Sequence, residues 1–116
     1  MFKVQYTDEF SDWFAALSEG ERETIGAAIT LLEDFGPALP FPHSSGIRGS
    51  RHRHMRELRA QHSGNPYRIL YAFDPKRSAI LLIGGRKSGN RWYSRAIRVA
   101  DRLYDEHLQD LGRDNS

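Results

Sequence analysis

The stretch that decides the fold is Tyr67-Arg68-Ile69-Leu70-Tyr71-Ala72-Phe73, followed by Asp74-Pro75-Lys76-Arg77-Ser78 and then Ala79-Ile80-Leu81-Leu82-Ile83. The first run is rich in aromatic and β-branched residues, the types that fit a pleated surface. Asp-Pro at the head of a polar pentapeptide is a turn signal. The second apolar run reads as a strand buried on both faces. Two strands joined by so short a turn form a hairpin. Upstream, Met55-Arg56-Glu57-Leu58-Arg59 reads as a third strand, set off from Tyr67 by Ser63-Gly64-Asn65-Pro66. Alternation puts Met55, Glu57 and Arg59 on one face and His54, Arg56 and Leu58 on the other.

Outward from this centre the period changes. Phe2, Val4 and Tyr6 alternate with polar positions, as in a short strand. Phe10, Trp13, Phe14 and Leu17 fall at i, i+3, i+4 and i+7, a helical stripe. Ser18 and Glu21 form a capping box that opens a second helix, with Ile25, Ala28, Ile29, Leu32 and Phe35 as its apolar stripe. Gly36-Pro37 ends it. Residues 37–53 look irregular. Beyond Ile83, Gly84–Asn90 reads as a glycine-rich basic loop, and a last helix runs from Arg91 to Leu111, with Gly112 as its stop. The order strand-helix-helix-strand-strand-strand-helix (β-α-α-β-β-β-α) makes an α+β fold. Its expected form is a small, mostly antiparallel sheet with helices covering one face. Residues 1–112 form one domain and 113–116 a short polar tail.

The composition agrees: 116 residues, 39% hydrophobic and 28% charged, suffice for one packed core. The absence of cysteine excludes disulfides, thiolate metal sites and a cysteine nucleophile. The longest apolar run has five residues, far short of the roughly 20 of a membrane span. Acids occupy the place of a signal peptide's apolar region, so a cytoplasmic protein is expected. The net charge of +2 hides a segregation. Residues 1–42 carry net −6, residues 43–98 net +11, and residues 99–116 net −3. So basic a block repels itself unless offset, and points to a polyanion such as nucleic acid.

The candidate chemistry lies in that block. Lys87-Ser88 after Gly84-Gly85 is not a phosphate loop, because Arg86 stands where its second glycine belongs. His52 and His54 lack companions for a metal site, so no metal or cofactor is expected. What the block supplies is Arg56, Arg59, Arg68, Arg86 and Lys87 on consecutive strands. Guanidinium groups match phosphate oxygens and stay charged. Cleavage of RNA by its own 2′-hydroxyl needs only positioning, charge stabilisation and proton transfer. Tyr67, Tyr71, Trp92 and Tyr93 offer stacking surfaces for unpaired bases, or core. Glu57, two residues from Arg59, is either that arginine's ion-pair partner or a catalytic group.

Taken together, Met55-Arg56-Glu57-Leu58-Arg59, Pro66-Tyr67-Arg68-Ile69-Leu70-Tyr71-Ala72-Phe73, and Ile80-Leu81-Leu82-Ile83 leading to Arg86-Lys87 resemble the phage-derived HigB-like branch of the RelE/ParE toxin superfamily. The resemblance covers about residues 2–108 and implies a RelE-like fold. It implies the toxin of a type II toxin–antitoxin pair: a metal-independent, ribosome-dependent mRNA endonuclease that inhibits translation. Its expected partners are mRNA on the ribosome and an adjacently encoded helix-turn-helix antitoxin. The superfamily also implies an alternative, a gyrase poison of the ParE type, or else an inactive autoregulatory partner. Arg59 and Arg68 match the family's sheet arginines, and Lys87 or Arg86 its basic residue after the last strand. Tyr93 and His54 complete the candidate catalytic set, as groups for proton transfer or stacking. Arg53, Arg56, Arg86 and Arg91 are expected to touch RNA.

Overall fold

A computed structural model describes residues 1–114. The elements are β1 (Val4–Tyr6), α1 (Asp8–Ala15), α2 (Glu19–Phe35), a 3-10 turn over Gly36–Ala38, β2 (Ser44–Gly46), β3 (Arg56–His62), β4 (Asn65–Phe73), β5 (Ala79–Arg86) and α3 (Asn90–Asp114). The five strands form one sheet in the order β1-β5-β4-β3-β2. β1 runs parallel to β5, and all other pairs are antiparallel.

Local chemistry accounts for the boundaries. Thr7 caps α1 by accepting from the Phe10 N–H, and Ser18 with Glu21 closes the expected capping box on α2. The β3–β4 hairpin turns on Ser63 and Gly64, both at positive φ, the geometry whose twist matches the flanking strands.

Two apolar clusters lie on opposite faces of the sheet. Phe10, Ile25 and Leu32 of α1 and α2 pack with Leu58, Ile69, Tyr71 and Leu81. Ala96, Ile97, Ala100 and Tyr104 of α3 pack with Met55, Leu70, Ala72, Ile80 and Leu82. Helices therefore cover both faces, where one covered face was expected. The reason is written in β4 and β5, whose odd and even positions are both apolar and must both be buried.

Two further expectations change. Ser44–Gly46, read as irregular, is the edge strand β2, held to the sheet by β3 alone. The glycine-rich loop is shorter than expected, because Gly84 and Gly85 belong to β5. A Cβ on Gly84 would lie 2.3 Å from the Trp13 ring, and one on Gly85 2.5 Å from the Trp92 indole. The glycines let one tryptophan lie flat on each face of the sheet. α3 continues through Gly112 to Asp114, so 113–114 are helical rather than tail, and 115–116 lie outside the described residues.

Candidate active site

The site is built where β3, β4 and the first turns of α3 meet. Arg59 and Arg68 are direct cross-strand partners, and Glu57 stands two residues before Arg59 on the same face. Glu57 is the hub. Its Oε2 accepts from Arg59 Nη1 at 2.9 Å, and its Oε1 lies 3.5 Å from Arg68 Nε. The same Oε1 accepts from the Tyr93 hydroxyl, delivered from α3. The side chains of Glu57 and Arg68 are only 6% and 8% exposed, so both charges depend on each other. Arg68 Nη1 donates to the Tyr67 carbonyl at 2.9 Å, while its buried Nε has no hydrogen-bond partner, since 3.5 Å to Glu57 gives attraction without a hydrogen bond.

Around this hub lie the other cations. Lys87 Nζ is 5.6 Å from the centre of the Tyr93 ring, a cation–π distance. Arg59 also lies over the Phe41 ring at 5.2 Å. Burial, then the hydrogen bond to Glu57, pushes the Tyr93 phenol above its ordinary range, with Arg68 pulling the other way. Tyr93 therefore keeps its proton at neutral pH and acts as a donor. A cleft of about 610 Å³ opens beside Glu57 and Tyr93, between the loop after β2 and the start of α3. A smaller hollow of about 220 Å³ is lined by Pro42, His43, Arg59 and Arg68. The arrangement can hold an anion against two guanidinium groups and an ammonium, with a phenol proton at hand.

A family model described as phage-derived Gp49-like protein matches residues 12–105. The chain belongs to this family. Among curated relatives, "Putative toxin HigB3" of Mycobacterium tuberculosis is 46% identical over 83% of this chain and 84% of its own length. "Putative toxin HigB2" of the same organism is 44% identical over 87% of this chain. This chain spans about half of that second relative's length (52%). The fold matches the isolated RelE toxin of E. coli, with a TM-score of 0.61, 15% identity, and 84% of this chain and 97% of that one covered. The HigB-like reading and the RelE-like α+β fold both stand. Among the described residues, no helix is long and apolar enough to cross a membrane.

The sequence-predicted residues of this Gp49-like protein divide sharply. Arg59, Arg68, Tyr93 and Lys87 converge on one spot. His54 does not join them: its Nε2 shares a 3.1 Å hydrogen bond with the Tyr104 hydroxyl. Tyr104 lies eleven residues along α3 from Tyr93, about 16 Å at 1.5 Å per residue. Arg56 turns to the opposite face of the sheet. Its Nε donates to Ser44 Oγ at 2.9 Å, and that hydroxyl is bonded to the buried Tyr71. Arg86 also faces away from Arg68, one strand residue out of phase with Gly85, and donates to Asn65 Oδ1 at 2.6 Å. Arg53 lies exposed in the loop before β3, and Arg91 lies exposed on the first turn of α3. Tyr67 and Tyr71 are buried at 4% and 1% exposure and cannot stack on bases; the Tyr67 hydroxyl is spent on Glu21.

Sequence reading missed two features. One is the Tyr93–Glu57 contact, which spans 36 residues. The other is an arginine stripe on the solvent side of α3. Arg91, Arg95, Arg98 and Arg102 are all exposed and follow one another at steps of four, three and four. That spacing was visible in the sequence as a helical face of one charge. Of the four, only Arg102 has a carboxylate partner among the described residues, Glu106.

Proposed function

We propose that this HigB-like protein is the toxin of a type II toxin–antitoxin pair, a ribosome-dependent mRNA endonuclease that stops translation. The observation that carries the reading is the buried Glu57 holding Arg59 and Arg68 side by side beneath Tyr93, with Lys87 at the edge. In this reading the scissile phosphate lies on the Arg59 and Arg68 guanidinium groups and on Lys87. The 2′-hydroxyl of the preceding nucleotide attacks phosphorus and gives up its proton to solvent water, and the bond to the 5′-oxygen breaks. The three cations stabilise the charge that builds on the phosphoryl oxygens. Tyr93 is the candidate proton donor to the leaving 5′-oxygen, because its burial and its bond to Glu57 keep it protonated. Glu57 positions Arg59, Arg68 and Tyr93, and Lys87 lies against the Tyr93 ring. His54, at Tyr104, is no part of the catalytic set.

The partner in the silent state is a co-encoded antitoxin of the helix-turn-helix class. Exposed acids of α1 and α2, among them Asp8, Asp12, Glu19, Glu23 and Asp34, offer it a docking face remote from the cations. The test of the function is induction of the protein alone in a bacterial host. Growth and protein synthesis should stop before DNA synthesis, with Arg68→Ala harmless at equal soluble level. Intact mRNA with broken chromosomal DNA would replace this reading by the gyrase alternative.

A further inference from the structure

We propose that the 610 Å³ cleft beside Glu57 and Tyr93 is a nucleotide subsite, which takes the unpaired base flanking the scissile phosphate and grips that nucleotide's phosphate with Arg48 and Arg98. The inference rests on the nuclease reading for its choice of ribonucleotide; the cleft's own chemistry carries the rest. Its volume lies within the range of small-ligand sites. One wall is Ile47, from the loop after β2; the other is Ile97 of α3, with the Tyr93 ring beside it. Ile97 is part of the buried cluster on this face and Ile47 packs against it, so packing holds both walls in place. The rim carries Arg48 and Arg98, both exposed and neither paired with a carboxylate among the described residues. Among the described residues, the only acid in the lining is Glu57, whose charge is already held by Arg59 and Arg68.

A slot walled by two isoleucines, with Asn90 and Ser94 as polar groups in its lining and two unbalanced cations at its mouth, fits a flat ring with polar edges that carries a negative charge on a short tether. That is a nucleotide with its base unstacked, the form in which RNA sequence is read. The cleft shares Tyr93 and Glu57 with the phosphate site, so a strand leaving the cleft arrives at Arg68 one step later. A base in this slot would set which position of the message is cut.

The experiment is methyl NMR on the full chain, with Ile47 and Ile97 as reporters. The probe is a ribodinucleotide whose attacking 2′-hydroxyl is methylated, so that it binds without being cut, and whose nucleotide in the cleft carries a terminal phosphate for Arg48 and Arg98. Both isoleucine methyls should shift and saturate with the dinucleotide and stay still with inorganic phosphate. Arg48→Ala with Arg98→Ala should weaken binding at least about tenfold, the scale of two charge-assisted hydrogen bonds. The slope of log K against log salt should fall by about 0.7, for the one single-strand phosphate that is no longer neutralised. Both arginines are exposed, and an unchanged amide spectrum outside the cleft checks the fold of the double variant. Silent isoleucines, equal shifts with phosphate alone, or an unchanged affinity in the double variant would each overturn the proposal. Dinucleotide binding in the cleft by a protein that cuts no mRNA would sink the nuclease reading alone. Cleavage by a protein whose isoleucines stay silent would sink the subsite alone.

Discussion

Replacing Glu57 by alanine should destabilise this protein far more than a surface change does, because it strands a buried guanidinium. Arg68 is 8% exposed, and its Nε has no hydrogen-bond partner even in the native site. Glu57 supplies the compensating charge at 3.5 Å, and it also holds Arg59 and the Tyr93 hydroxyl. Removing one member of a buried pair costs about 3–5 kcal/mol, because the other charge stays behind uncompensated. A domain has only about 5–15 kcal/mol in all. At roughly 4 °C per kcal/mol for a chain of this size, the melting point should drop by about 12–20 °C. The decisive arm is the double variant Glu57→Leu with Arg68→Met, which leaves neither charge and similar volume. It should recover most of the loss, with a coupling of at least about 2 kcal/mol in the double-mutant cycle. The assay is urea and thermal unfolding followed by circular dichroism. A loss under about 1 kcal/mol for Glu57→Ala, or a double variant as unstable as the two singles added, would refute the mutual dependence of these charges.

Lys87→Ala should lower the salt slope of single-stranded RNA binding by about 0.7, whereas Arg86→Ala, on the other face, should leave it unchanged; equal effects would mean that the face assignment does not govern RNA binding. Glu19→Lys, Glu23→Lys and Asp34→Lys together should slow association with the antitoxin, most at low salt, and leave ribosome binding nearly unchanged. If Arg59→Glu abolishes antitoxin binding and these reversals do not, inhibition fills the active site instead. Acid should destabilise the fold below about pH 4. The Tyr67 hydroxyl, then Ser18, holds Glu21 at about 2, and His52, then Arg51, holds Asp105 below its ordinary value. Burial opposes ionisation of Asp74, but His107 and the Ser78 N–H outweigh it and hold that carboxyl low as well. A depressed carboxyl stabilises the fold above its unfolded pKa, near about 4, and loses that contribution as pH falls through its folded value. A melting point that stays constant from about pH 5 to about pH 2.5 would contradict this.

The Glu57–Arg59 pair could be read from the sequence, because alternation in a strand puts residues two apart on one face. So could the helical hairpin, because the Ser18–Glu21 box and Gly36-Pro37 mark its boundaries locally. Tyr93 could be read locally as a stacking surface or core, but its place in the catalytic set came from family likeness, since nothing local says that a tyrosine 36 residues away will reach Glu57. Phase in a strand separates Arg56 and Arg86 from Arg59 and Arg68, and charge counting along the chain ignores phase. The glycines of β5 looked like a loop because their reason is long-range: Trp13 and Trp92 occupy the space of the missing side chains. β2 escaped notice because Ser-Ser-Gly has little strand propensity and owes its place to β3. The second covered face was legible after all, in the apolar residues at both phases of β4 and β5.

The central claim is tested most directly by purified translating ribosomes carrying a defined message, incubated with the protein, with both ends of every product mapped. The account predicts cuts within the message on the ribosome, leaving a 2′,3′-cyclic phosphate on one fragment and a 5′-hydroxyl on the other. Arg68→Ala, compared per folded molecule because its loss leaves the buried Glu57 charge without this partner, should lose at least about 10²–10³ in rate. An uncut message at saturating wild-type protein, or equal cutting by Arg68→Ala, would contradict it.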